Sequence, residues 1–133
     1  MQSAVVLDTN VFVAAGFKRR SAAAQVIEQV RVGALHMVWH EQTLRETEYI
    51  LKKIPPLSWP KVADLFREED RYEGELDVRA FNYIADHDDR KYAALSEATG
   101  AILLTNDSDL LEHRDRARVA ILTPREYCDR YPA

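Results

Sequence analysis

The sequence contains a single cysteine, Cys128, so no disulfide can form within the chain. It also lacks any apolar run near the ~20 residues that a membrane-spanning helix needs. The first three residues enter an apolar stretch with no basic segment before it, so we expect neither a signal peptide nor a membrane anchor. These absences favour a reducing, cytoplasmic setting, and we expect no membrane partner.

Basic residues are fewer than acidic ones, 18 against 22, so the net charge is −4. This balance argues against a broad surface for polyanions, but an acidic site can still engage phosphates through divalent cations. The four histidines show no metal-ligand spacing, so zinc is not predicted. With 133 residues, 47% of them hydrophobic, and no repeat or linker, we expect one domain over residues 1–133.

Short apolar runs alternate with helical patterns along the chain. The runs predict strands at 4–7, 35–39, 75–79, 101–105 and 119–122. The helical patterns predict helices at 21–32, 41–53, 58–71, 89–99, 108–113 and from 124 onward. Several ends carry local signals: Ser21 as an N-cap, Gly100 after a helix, and Thr123 and Glu126 as a capping box. This alternation predicts an α/β fold with a parallel sheet covered on both faces.

Two aspartates, Asp8 and Asp107, each follow a predicted central strand. Ligands of open parallel sheets bind at the carboxyl ends of the strands, so both carboxylates are candidate site residues. For either residue alone, a helix cap or turn is the alternative role. Two acids at equivalent positions make that explanation less attractive.

Two further carboxylates come from predicted helices. Asp89 begins the helix before the Asp107 strand, where Asp88 competes for the N-cap position. Glu46 and Glu48 flank the apolar stripe of their helix on opposite sides, and spacing alone does not choose between them. Converging carboxylates without matching cations would repel one another, and Mg²⁺ or Mn²⁺ relieves that repulsion. Two such ions about 4 Å apart can drive phosphodiester hydrolysis.

Four segments in order, 5–11, 44–51, 89–101 and 104–111, resemble the acidic motifs of PIN-domain nucleases. The resemblance implies a three-layer α/β/α sandwich with a mostly parallel five-stranded sheet. It assigns the catalytic and metal-binding carboxylates to Asp8, Glu46, Asp89 and Asp107. The auxiliary polar positions that it implies are Thr9, Asn10, Thr105 and Asp109.

Compact PIN proteins of this size resemble VapC-type toxins of toxin–antitoxin pairs. The resemblance therefore suggests an endoribonuclease that uses one or two Mg²⁺ or Mn²⁺ ions on an RNA substrate. It also suggests a small antitoxin protein as partner and a homodimer. The alternatives are a stand-alone RNA-processing nuclease and a non-catalytic module that binds RNA or protein. The basic run Lys18, Arg19 and Arg20 could contact RNA phosphates, and a solvated loop explains it equally well.

Overall fold

The computed structural model describes residues 3–132, which form a parallel sheet with helices between its strands. The strands are β1 (Ser3–Leu7), β2 (Leu35–Met37), β3 (Ile102–Leu104) and β4 (Ile121–Leu122). The α-helices are α1 (Thr9–Phe17), α2 (Ala22–Arg31), α3 (Glu41–Lys53), α4 (His87–Thr99), α5 (Ser108–Leu111) and α6 (Pro124–Arg130). Short 3₁₀ turns occupy Trp59–Lys61, Ala63–Leu65, Glu68–Asp70 and Val78–Phe81.

The strands lie in the order β2-β1-β3-β4, and each neighbouring pair is parallel. The parallel α/β sheet is confirmed. The described residues form four strands, one fewer than the five expected, because 75–79 does not join the sheet. In this order β1 and β3 are neighbours, so their carboxyl ends lie side by side.

Apolar side chains on the strands alternate between two cores, one on each face of the sheet. On β1, Val5 and Leu7 pack with α1, α2 and α3, whereas Val6 packs with α4. On β3, Leu104 lies in the same core as Val5 and Leu7, and Leu103 lies in the same core as Val6. Because successive side chains of a strand point to opposite faces, this alternation places helices on both sides. The three-layer α/β/α arrangement is confirmed.

Helices with clear end signals follow the prediction closely. Helix α3 spans the predicted 41–53. The Ser21 hydroxyl caps α2 by accepting from the Ala24 amide at 3.1 Å. Gly100 follows α4 with a φ of 75°, a left-handed conformation that glycine adopts without strain. Thr123 and Glu126 form the predicted capping box of α6.

Helix α1 has no counterpart among the predicted elements. Its residues are almost all apolar, so the segment shows no polar face and no helical period. The helix is recognisable only from its position against the sheet, where Val11 and Phe12 are buried in the core. No helix in the part of the chain that the structure describes is long and apolar enough to cross a membrane.

The predicted helix at 58–71 is wrong, because the segment forms three 3₁₀ turns instead. Most of its internal backbone hydrogen bonds are of the 3₁₀ type, and two of its carbonyl groups accept from Trp39. The Trp39 indole N–H donates to the Arg67 carbonyl at 2.7 Å, and the Trp39 amide donates to the Asp70 carbonyl at 3.2 Å. The Arg67 side chain in turn donates to the carbonyl of Val30, near the end of α2. These long-range bonds override the local helical pattern.

The predicted strand at 75–79 is also wrong. A 3₁₀ turn covers Val78–Phe81, and the Asp77 carboxylate accepts from the Arg79 amide at 3.2 Å. Phe81 is buried in the same core as α4, so the segment packs beside that helix instead of extending the sheet. A capping aspartate, Asp77, and a buried aromatic residue four positions later, Phe81, favour a turn over an extended strand.

Candidate active site

Three aspartates meet at the carboxyl edge of the sheet. Asp8 follows β1, Asp107 follows β3, and Asp89 lies in the first turn of α4. One carboxylate oxygen from each lies within 4.8 Å of the other two. The structure therefore brings together three of the four acids singled out from the sequence.

Asp8 is held by polar neighbours and has no capping role. It precedes α1, but its side chain makes no cap hydrogen bond. Its Oδ2 accepts from the Thr105 hydroxyl at 2.8 Å and from the side-chain amide of Asn10 at 3.2 Å. Burial is the main cause that raises the pKa of Asp8 to about 6; the charges of Glu46 and Asp107 contribute to the rise, and the Thr105 hydrogen bond opposes it. The side chain is thus oriented and electrostatically unfavourable as an anion.

Asp89 does not act as the N-cap of α4, which was its alternative role. Asp86 caps α4 instead, accepting from the Asp88 amide at 2.9 Å. Asp89 is 6% exposed, and its Oδ2 is buried with no hydrogen-bond partner among the described residues. Burial is the first cause that raises the pKa of Asp89, and the carboxylates of Asp107 and Asp8 add to it. A buried acceptor without a donor is the place where a cation or proton is needed.

Asp107 combines a structural role with its place in the cluster. It caps α5 by accepting from the Asp109 amide at 2.9 Å. Its own amide donates to the Thr105 hydroxyl at 2.9 Å, and the same hydroxyl donates to Asp8. Thr105 therefore links the two strand-end acids. The loop after β3 is built to hold both at one edge.

A second set of carboxylates shares Asp89 with the first. Oxygens of Asp86, Asp89 and Asp109 also lie within 4.8 Å of one another. Asp109 belongs to the auxiliary positions that the family resemblance implies, whereas Asp86 was not among the predicted site residues. The acidic patch is therefore wider than the four predicted acids.

Glu46 lies beside this cluster with its carboxylate already engaged. Lys91 donates to Oε1 at 2.9 Å, and the Tyr92 hydroxyl donates to Oε2. The Thr9 hydroxyl lies 3.3 Å from the same Oε2. Glu46 is not in the group of three aspartates, although its charge acts on Asp8. Glu48 instead pairs with Lys52 on its own helix, so the structure distinguishes the two glutamates.

Of the residues around Glu46, Thr9 is one of the expected auxiliary positions, whereas Lys91 and Tyr92 were not singled out from the sequence. Tyr92 is fully buried, and the Thr9 hydroxyl lies 2.7 Å from its hydroxyl and 2.9 Å from that of Thr47. Lys91 is 13% exposed, an unusual burial for lysine. The sequence shows that Lys91 stands two residues after Asp89, but it does not show that α3 packs against this part of α4.

The basic run after α1 lies away from the carboxylates. Lys18, Arg19 and Arg20 are exposed and follow the helix whose first turn begins at Asp8. At 1.5 Å per residue, the nine residues of α1 separate them from the cluster by about 13 Å along the axis.

A cluster of this kind suits hard divalent cations. It offers carboxylate oxygens alone, and the pKa values of Asp8 and Asp89 are raised by burial and by neighbouring carboxylates. Mg²⁺ and Mn²⁺ prefer such ligands, and a cation there would relieve the repulsion and satisfy Asp89 Oδ2. The residues present therefore fit a divalent metal.

Several solved structures share this fold at low sequence identity. VapBC2 from Rickettsia felis, bound to a DNA fragment from its promoter, matches with a TM-score of 0.58 at 18% identity, over 90% of this chain and 98% of that one. FitAcB from Neisseria gonorrhoeae matches at 0.60 and 15%, over 91% and 98%. PAE2754 from Pyrobaculum aerophilum matches at 0.60 and 18%, over 97% and 88%. Each likeness supports the fold alone.

The sequence itself provides the family assignment. A search among curated proteins gives no match. The family model described as the PIN domain matches residues 4–109, a span that includes all four predicted acids. Because this match extends over most of the sequence, the chain belongs to the PIN domain family.

Proposed function

We propose that this chain is a divalent-metal-dependent endoribonuclease that hydrolyses RNA phosphodiester bonds, and that it is the toxin of a toxin–antitoxin pair. One observation carries the proposal: the carboxylates of Asp8, Asp89 and Asp107 converge at the sheet edge, and a buried oxygen of Asp89 has no hydrogen-bond partner within residues 3–132. Such an edge is where ligands of open α/β sheets bind.

Asp8, Asp89 and Asp107 would hold Mg²⁺ or Mn²⁺. When bound, the cation lowers the pKa of a coordinated water and offsets the charge that develops on phosphate oxygens. Thr105 and Asn10 orient Asp8 through their hydrogen bonds. Asp89 also belongs to the second acidic set, which is compatible with one or two ions.

Glu46 is the fourth acid of the proposed site, beside the three aspartates. Its held position suits a carboxylate that accepts a hydrogen bond from the attacking water. Asp109, on the second acidic set, remains an auxiliary candidate, and Lys18, Arg19 and Arg20 are candidates for contact with flanking RNA phosphates.

The toxin assignment is supported by the family and by two of the similar folds, VapBC2 and FitAcB. We propose on that basis a small antitoxin partner, a homodimer, a single nuclease domain over 1–133 and a cytoplasmic location. Coexpression with the adjacent reading frame, followed by light scattering on the purified material, measures both the partner and the dimer. A lone monomer with no copurifying protein would contradict these two proposals.

Circular RNA tests the central activity, because a substrate without ends can be opened only by an endonuclease. We expect linear products with Mn²⁺, none with EDTA, and no cleavage of single-stranded circular DNA of the same sequence. Opening of the circle in EDTA would contradict the metal requirement. Cleavage of the DNA circle at an equal rate would contradict the assignment to RNA.

A further inference from the structure

Lys91 joins helices α3 and α4 beside the carboxylates. Its ammonium donates to Glu46 Oε1 at 2.9 Å and to the Asp88 carbonyl at 2.9 Å. The side chains of Lys91 and Glu46 are 13% and 22% exposed, so the pair is partly withdrawn from water. A lysine head with two fixed acceptors cannot sample the rotamers of a surface lysine.

The acceptor positions of Glu46 are nearly filled. A carboxylate offers about four of them. Lys91 takes one on Oε1, while the Tyr92 hydroxyl bonds to Oε2 and the Thr9 hydroxyl lies 3.3 Å from that oxygen. The single Thr9 proton serves the 2.7 Å contact to the Tyr92 hydroxyl, so Thr9 encloses Oε2 without taking a second position on it. The open position that remains on Oε1 suits a water better than a cation held by both oxygens.

We infer that Lys91 is a positioning residue: it fixes Glu46 so that the remaining position on Oε1 accepts a hydrogen bond from the attacking water. The inference rests on the proposed function. In the hydrolysis, the water oxygen bonds to phosphorus and the P–O bond to the leaving nucleotide breaks. The water proton leaves through Glu46 to solvent, and solvent protonates the leaving oxygen.

Removal of Lys91 should lower the rate of catalysis without weakening metal binding. Without the ammonium, Glu46 is held at Oε2 alone and its other oxygen is free to turn away. Misplacement of a reacting group by about 1 Å can cost about 100-fold in rate. The loss of a positive charge near Asp8, Asp89 and Asp107 also makes the cluster more attractive to a divalent cation. A merely structural lysine would weaken both properties together.

The test compares Lys91→Met, Lys91→Arg and Lys52→Met in the full chain. Lys52 is the matched control, since it pairs with Glu48 on the exposed side of α3. Calorimetry with Mn²⁺ alone measures metal affinity, and RNA cleavage at saturating Mn²⁺ gives kcat and KM. For Lys91→Met we expect kcat to fall about 100-fold with KM little changed. We expect its Mn²⁺ affinity to be unchanged or up to about fivefold tighter.

The two other variants make the result specific to the ammonium. Lys91→Arg should recover much of kcat, because guanidinium also donates to a carboxylate, and Lys52→Met should match the wild type. A wild-type kcat in Lys91→Met, or a weaker Mn²⁺ affinity, would overturn the inference. A raised KM with unchanged kcat would instead assign Lys91 to a substrate phosphate, which also overturns it.

Failure of the proposed function gives a different pattern. If the wild type neither binds Mn²⁺ nor cleaves RNA, the nuclease assignment is overturned, and the role of Lys91 with it. If the wild type does both and Lys91→Met behaves like it, only the role of Lys91 is overturned. If Lys91→Met does not fold, Lys91→Arg still decides the question. A Lys91→Arg protein that folds like the wild type but has a kcat no better than background would contradict positioning by charge.

Discussion

Asp8→Asn should stabilise the metal-free protein at neutral pH, although most substitutions of buried residues destabilise. Asp8 is 4% exposed and its Oδ2 accepts from Thr105 and Asn10. An asparagine keeps an acceptor oxygen for both donors and removes the charge. The substitution therefore isolates the electrostatic cost of the ionised carboxylate.

The size of the effect follows from the raised pKa of Asp8. Its value is about 6 in the folded protein against an ordinary 3.8, because burial disfavours the anion. A difference of about 2 units corresponds to about 3 kcal/mol in the free energy of unfolding. Between these two pKa values the unfolded chain binds fewer protons than the folded one, so stability is lost as pH rises through that window. The asparagine variant lacks this loss.

Thermal melts in EDTA at about pH 4 and about pH 8 measure the difference. At the higher pH we expect Asp8→Asn to melt roughly 9–15 °C above the wild type, using about 3–5 °C per kcal/mol for this chain length. Near the lower pH the gap should close. Asp115→Asn, at an exposed position, is the control and should leave the melting temperature unchanged at both.

Two results would refute the reasoning. One is destabilisation of the EDTA form by more than about 2 kcal/mol, which would make Asp8 a structural acceptor that asparagine cannot replace. The other is a gap that does not depend on pH, since the charge would then not be its cause. Excess Mn²⁺ adds an independent check: the wild type should gain about 2.7 kcal/mol at 100 times the dissociation constant, and the variant much less.

Other substitutions separate structure from chemistry. Asp107→Asn keeps a cap acceptor for the Asp109 amide, so its EDTA melt should stay within about 1 kcal/mol of the wild type while its gain from Mn²⁺ falls. A loss of more than about 2 kcal/mol in the free energy of unfolding would mean that Asp107 acts mainly as a helix cap. Glu46→Gln should lower RNA cleavage by about 100-fold and Glu48→Gln should not, and equal losses in cleavage assays would contradict the assignment. Thr123→Ala removes the α6 capping box and should cost about 1 kcal/mol in a denaturant titration, with cleavage per folded molecule unchanged; reduced cleavage would contradict the separation.

Elements with signals inside their own segment were predictable. The bounds of α3 follow from an apolar stripe and a proline stop, and the start of α6 follows from Thr123 and Glu126. The positions of Asp8 and Asp107 were predictable for the same reason, since each lies within a few residues of the end of an apolar run. Parallel neighbours then place both acids at one edge.

Features set by distant partners were not predictable. The sequence of segment 58–71 is typical of a helix. In the structure, Trp39, about 30 residues away in sequence, donates hydrogen bonds to the carbonyls of Arg67 and Asp70. Glu46 and Glu48 are equivalent on a helical wheel until α4 places Lys91 and Tyr92 opposite one of them. Such information lies in the packing of elements and not in their local pattern.

RNA cleavage by the wild type and by Asp89→Asn, each with Mn²⁺ and with EDTA, tests most directly whether the converging aspartates form a metal-dependent nuclease site. Asp89 is the sharpest probe, because its buried Oδ2 has no partner among the described residues and Asp86 provides the α4 cap. The account predicts cleavage by the wild type with Mn²⁺ only, and a loss of about 100-fold or more in Asp89→Asn. Cleavage by the wild type in EDTA, or full activity in a folded Asp89→Asn, would contradict it.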